Sequence, residues 1–193
     1  MVLAGRLARL GVLPVLTPAR FTRTLCAFAV VAIAGTVGGF GSAAAQPGDY
    51  STLPVDPNVI TDSQAYTAAP LDIDPDGQRG VTAEYTHREG GTREITTTIL
   101  ILADPQAATA SLQGAATEVA NAQTQPAAVG TGGTMVSGTS PDGTQSVTVL
   151  TFTQGNTATT IEFDGPPNDP VPADMVIELG QKQDTAIRDW LQA

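Results

Sequence analysis

The stretch VTAEYTH, Val81 to His87, alternates without a break: Val81, Ala83 and Tyr85 against Thr82, Glu84 and Thr86. A period of two is the period of a strand, and it gives this one an apolar and a wet face. REGG follows as a hairpin turn, and REITTTILILA, Arg93 to Ala103, is the return strand. Ile95, Ile99 and Ile101 share one face. Leu100 and Leu102 add apolar groups to the other, so the end of this strand is expected to be covered on both sides. A second pair follows later: SVTVLTFT (Ser146 to Thr153), apolar on both faces, and TATTIEFD, with Ile161 and Phe163 opposed to Glu162 and Asp164. Gln154-Gly155-Asn156 joins them as a hairpin. Hairpins impose antiparallel pairing.

Two helices are predicted around these strands. Asp104 is placed to cap, and Pro105 suits a first helical position. Ala108, Leu112, Ala115 and Val119 then form a stripe at spacings of three and four. At the C-terminus, ADMVIELGQKQDTAIRDWLQA carries Val176, Leu179, Ala186, Ile187 and Trp190 on one stripe. Gln183 falls inside that stripe, where its amide either finds a hydrogen-bond partner, lies at the stripe's edge, or points into a ligand cavity. Between the helices runs a Gly-rich connection with room for two short strands. The expected fold is therefore α+β: an antiparallel sheet of four to six strands with two helices packed on one face, in the order strand, strand, helix, strands, helix.

The first 45 residues differ from the rest. They hold Arg6, Arg9, Arg20 and Arg23 and no acidic residue, then an apolar run from Leu25 ending in Ala43-Ala44-Ala45. That order predicts a secretory signal peptide over 1–45, cleaved at Ala45–Gln46. Gly35, Gly38, Gly39 and Gly41 interrupt the run short of the roughly 20 residues a membrane span needs, so no stable insertion is expected after cleavage. Cys26, the single cysteine, lies in the leader, so the exported chain would have neither disulfide nor thiol chemistry. Four of the nine basic residues also lie in the leader. Five then remain against 19 acidic ones, a formal charge of −14 that argues against nucleic acid as a partner. The expected state is a secreted or cell-envelope protein, monomeric or weakly oligomeric.

Residues 46–79 are rich in Pro and Asp and read as an extended acidic arm, pinned at most through Tyr66 and Leu71. The single domain is expected over 80–193. The arm ends in LDIDPDGQRG, where Asp72, Asp74, Asp76 and Gly77 begin like a calcium loop of the EF-hand type. The rest of that pattern is missing. Arg79 stands where an apolar residue belongs, Ala83 stands where the bidentate Glu belongs, and a strand rather than a helix follows. Asp72, Asp74 and Asp76 thus read either as a weak calcium site or as an Asp-rich turn built on PDG.

Catalytic constellations are thin. His87 is the only histidine and sits at the end of the apolar strand face. No G-x-S-x-G elbow surrounds any serine, and one histidine without cysteines does not make a zinc site. Glu84, Glu162 and Asp164 fall on outward strand faces, whereas a glycosidase needs two carboxylates across a cleft. Gly130 to Thr134, GTGGT, lacks the lysine and the strand-to-helix turn of a phosphate loop.

PDGQRGVTAEYTHREGGTREITTTILIL, SPDGTQSVTVLTFTQG, IEFDGPPNDPVP and GQKQDTAIRDWL together resemble small exported proteins of mycobacteria and related actinobacteria. In element order the chain is also similar to PsbP/Mog1-like α+β domains. Those resemblances imply an exported, non-catalytic binding module and no catalytic residue. Its expected partner is a protein or an apolar envelope molecule. The alternatives are a hydrolase using carboxylates such as Asp72, Asp74, Asp76 or Glu84, and a calcium-stabilised structural domain.

Overall fold

The computed structural model describes residues 49–61, 64–90 and 92–193. The expected leader, its Cys26 and the Ala45–Gln46 cleavage point lie outside the described residues. The fold is α+β, with one antiparallel sheet of eight strands and two helices. In chain order come β1 (Tyr66–Ala68), β2 (Asp72–Ile73), β3 (Gly80–His87), β4 (Glu94–Ile101), α1 (Pro105–Ser111), β5 (Ala120–Pro126), β6 (Thr131–Thr139), β7 (Ser146–Gln154), β8 (Thr157–Gly165) and α2 (Ala173–Gln192). Across the sheet they lie β1-β3-β4-β8-β7-β6-β5, with β2 also paired to β3. Four to six strands were expected; the surplus comes from short or polar strands at the two edges.

The four strands that alternate in the sequence form the centre. Register places Ile95 opposite Phe163, Thr97 opposite Ile161, and Ile161 opposite Leu150, all on one face. Val81, Ala83 and Tyr85 extend that face into β3, and Val176, Leu179 and Ile187 of α2 close it. Helix and sheet approach closely at Gly180, where a Cβ would stand 2.4 Å from Leu150 Cδ2. Here the glycine is chosen for absent bulk, against its poor helix propensity.

The second helix lies elsewhere than expected. α1 contacts β7 and β8, and the turns that continue it place Ala116 and Val119 on Val136, Val147 and Val149. Those valines alternate with Leu150 and Met135, so they point away from α2. The expectation that both helices stack on one face is therefore corrected. β4 and β7 are apolar on both sides, and each side demands its own cover. α1 is also shorter than its stripe predicted. It stops at Ser111, and Gly114 at φ 88° turns the chain away. Val119 is buried beyond the helix, and Ala120 is already in β5.

Residues 49–61 and 64–66 do not extend from the domain as an arm. Leu53, only 2% exposed, and Tyr66 belong to the core under α2, with Tyr50, Val55 and Ile60 packed on it. Tyr66 is the expected pin; Leu71, at 41%, is exposed. The Gln183 amide holds this segment as a neighbouring strand would: its nitrogen donates to Leu53 O at 2.8 Å and its oxygen accepts from Val55 N at 2.9 Å. Trp190 Nε1 donates to Asp49 O at 2.8 Å, about two helical turns further on. The N-terminal segment thus covers the part of the apolar face that α2 leaves open.

Candidate functional site

The aspartates of LDIDPDG belong to two different elements. Asp72 lies on β2 opposite Thr82. Asp74 is left-handed at φ 57°, as is Asp76 at φ 53° within the tight turn Pro75–Gly77. Asp and Asn tolerate that conformation better than other L residues. Asp74 spends its Oδ1 on the protein itself, accepting from Tyr50 OH at 2.5 Å and from Gly80 N at 3.3 Å. The hydrogen bond donated to Asp74 raises the Tyr50 phenol above its ordinary pKa, because ionising the phenol would break that bond, and the Asp74 charge adds to the effect. Arg79 lies over the Tyr50 ring at 5.6 Å. The turn therefore fastens the N-terminal segment to β3. Among the described residues no three His, Cys, Asp or Glu side chains form a group able to hold a metal ion, this trio included.

His87 sits where the alternation put it, half-buried at the end of the face toward α2. Its ring stands edge-on to Tyr66, with centroids 5.1 Å apart, and Glu89 N lies 3.2 Å from Nδ1. The outward carboxylates lie on the opposite face. Glu84, Thr96 and Glu162 line up across β3, β4 and β8, and Glu94 stands beside Asp164 in the next row. Neighbouring strands are about 4.8 Å apart, so the backbones of Glu84 and Glu162 are separated by about 10 Å. The one imidazole and these carboxylates are on opposite sides of a single sheet, which keeps them from acting on a common bond.

A second row on the outer face is regular in chemistry. Thr82, Thr98, Thr160, Thr151 and Thr134 are consecutive partners across five strands. Thr82 and Thr98 share a hydroxyl–hydroxyl hydrogen bond of 3.1 Å. Parity alone assigned Glu84, Glu162 and Asp164 to this face. It did not bring Glu94 to Asp164 or align the threonines, because both depend on the register of β4 with β8, strands far apart in the chain. The signal available was the run Thr96-Thr97-Thr98 with Thr159-Thr160, whose β-branched hydroxyls suit a half-wet sheet.

Among the described residues the apolar interior is tightly filled. Phe152, Ile95, Ile99, Leu150, Ile161 and Leu179 are almost wholly enclosed between sheet and α2. Two open surface depressions measure about 330 and 460 Å³. One runs along α1 beside Gln106 and Thr109, the other along α2 beside Glu178 and Lys182. Neither includes Asp72, Asp74, Asp76, Glu84 or His87. Compared with known proteins, the chain matches no family model, no curated protein and no solved structure.

Proposed function

We propose that this is an exported, non-catalytic module, secreted or held in the cell envelope, that binds a protein partner through its surface. The observation that carries this reading is the filled apolar layer between sheet and α2. Leu53 and Tyr66 of the N-terminal segment complete that layer, at the place where an apolar envelope molecule would otherwise lie. A sheet face set with threonine hydroxyls and carboxylates is suited to hydrogen bonding with a polar partner. The hydrolase reading has less support, since Glu84 and Glu162 stand on an open face and not across a cleft.

Native mass spectrometry of the protein isolated from its own host tests this. The expected species are the bare chain and a complex with a second polypeptide. A stoichiometric lipid retained on the folded protein would sink the reading. The calcium-stabilised alternative has its own readout: on the reading preferred here, melting coincides in calcium, magnesium and chelator. A rise with calcium alone would favour Asp72, Asp74 and Asp76 as ligands.

A further inference from the structure

We infer that β5 is a self-pairing edge, through which two copies of this chain join their sheets about a two-fold axis. Among the described residues β5 is the last strand on its side and pairs with β6 alone. Its seven residues, ANAQTQP, are exposed apart from half-buried Ala120. The direction of its backbone groups follows from one hydrogen bond. Ala127 N donates to Gly133 O at 2.9 Å, which makes 127 and 133 a pair that exchanges bonds. Gln125 opposite Met135 and Gln123 opposite Ser137 continue that register in the same phase. Thr124, opposite Val136, and Pro126, opposite Thr134, are therefore the alternate positions whose backbone groups turn away from β6. Thr124 presents both an N–H and a C=O to the open side.

Charge selects a second copy as the occupant. The chain is strongly acidic, at −10 overall, so two copies meeting at most surfaces bring carboxylates together. From Val119 to Pro141 there is no ionisable side chain, and this stretch includes all of β5 and β6. The opposite edge is unsuited to the same use. It is broken between β1 and β2 at Ala69-Pro70-Leu71 and carries Asp72. Edges are commonly guarded by proline, bulges and charge, and β5 uses only the first two, at its ends. Its register shifts between Ala120 and Gln123, with Asn121 at φ 53°, and Pro126 closes the other end.

Antiparallel pairing about Thr124 gives each Thr124 N–H the partner's Thr124 carbonyl. The same geometry sets Gln123 against the partner's Gln125, two neutral amides able to bond to each other. So short a seam makes a weak, concentration-dependent dimer.

Sedimentation velocity over a wide concentration range tests this, together with the variant Thr124→Pro. Proline removes the outward N–H and leaves the β6 ladder intact, because edge strands accept proline at such positions. The expected result is a monomer–dimer equilibrium whose association constant the variant lowers by about tenfold or more, with unchanged melting. In the unsubstituted protein, amide exchange at Thr124 should slow as concentration rises, while Gln123 and Gln125 stay constant. A chain that remains monomeric throughout overturns the inference. So does a dimer in which Thr124 exchanges as fast as in dilute solution.

Discussion

The two faces of the sheet are built from the same strands and have opposite characters. Toward α2 lie Leu150, Phe152, Ile161, Ile95 and Ile99, closed by a long helix and by a segment some 130 positions away in sequence. Away from α2 lie threonines and carboxylates, with a smaller apolar cluster at Val119, Val147 and Val149. The difference teaches where stability and recognition reside. One face is enclosed and intolerant of change, while the other combines a small covered cluster with open positions such as Glu84 and Thr96, where change costs the fold little.

The sharpest test of that contrast is truncation within the enclosed layer. Leu150→Ala should cost about 3–5 kcal/mol by urea unfolding, since a fully enclosed leucine leaves a cavity that packed neighbours fill poorly. Gln183→Ala should cost about 2–4 kcal/mol, because it leaves Leu53 O and Val55 N without partners under α2. If that loss is under half a kcal/mol, the N-terminal segment is not part of the enclosed layer and the contrast fails there. Gly180→Ala should cost about 1–2 kcal/mol, the clash with Leu150 outweighing the gain in helix propensity. On the outer face Thr96→Val or Glu84→Gln should change stability by no more than about 0.5 kcal/mol. If either weakens capture of a polypeptide partner, the division of labour is sharpened.

The extremes of pH separate the two regions in another way. Burial pushes the Tyr85 phenol up to about 12, helped by the nearby Asp56 carboxylate. A phenol that ionises less readily when folded supports the fold below its ordinary pKa of 10, and that support is lost as pH rises from 10 toward 12. At the surface turn Ser140 to Gly143, the Ser140 hydroxyl and then Thr144 hold the Asp142 carboxylate down at about 2. That contribution is present above the usual carboxylate value of 3.8 and is lost as pH falls through about 2. Near-ultraviolet absorbance along the alkaline titration should show Tyr85 ionising only as pH approaches 12, and carboxyl NMR shifts along the acid titration should show Asp142 protonating only near 2.

Legibility in the sequence followed the same division. β3 and β8 were readable from their alternation, and β4 and β7 from β-branched and apolar residues on both faces between turn signals. α2 was readable from its stripe, including a buried Gln183 that required partners and found two. β5 was not, since ANAQTQ has no apolar period; its place in the sheet comes from β6 and from the room that Gly138 leaves beside Ala120 O. The stripe Ala108-Leu112-Ala115-Val119 misled, because Val119 serves the sheet from outside the helix. The N-terminal segment looked like an arm because its apolar residues are scattered among prolines and follow no period. Among the candidate ligands, local spacing made Asp74 look available. Its use by Tyr50 depends on a contact 24 residues upstream that no spacing rule contains.

The Gln183 amide has a consequence in time as well as space. It joins Leu53 and Val55 to α2, some 130 positions later, so a growing polypeptide cannot close this core until α2 has emerged. Until then the central hairpins lack the cover that Val176, Leu179 and Ile187 supply.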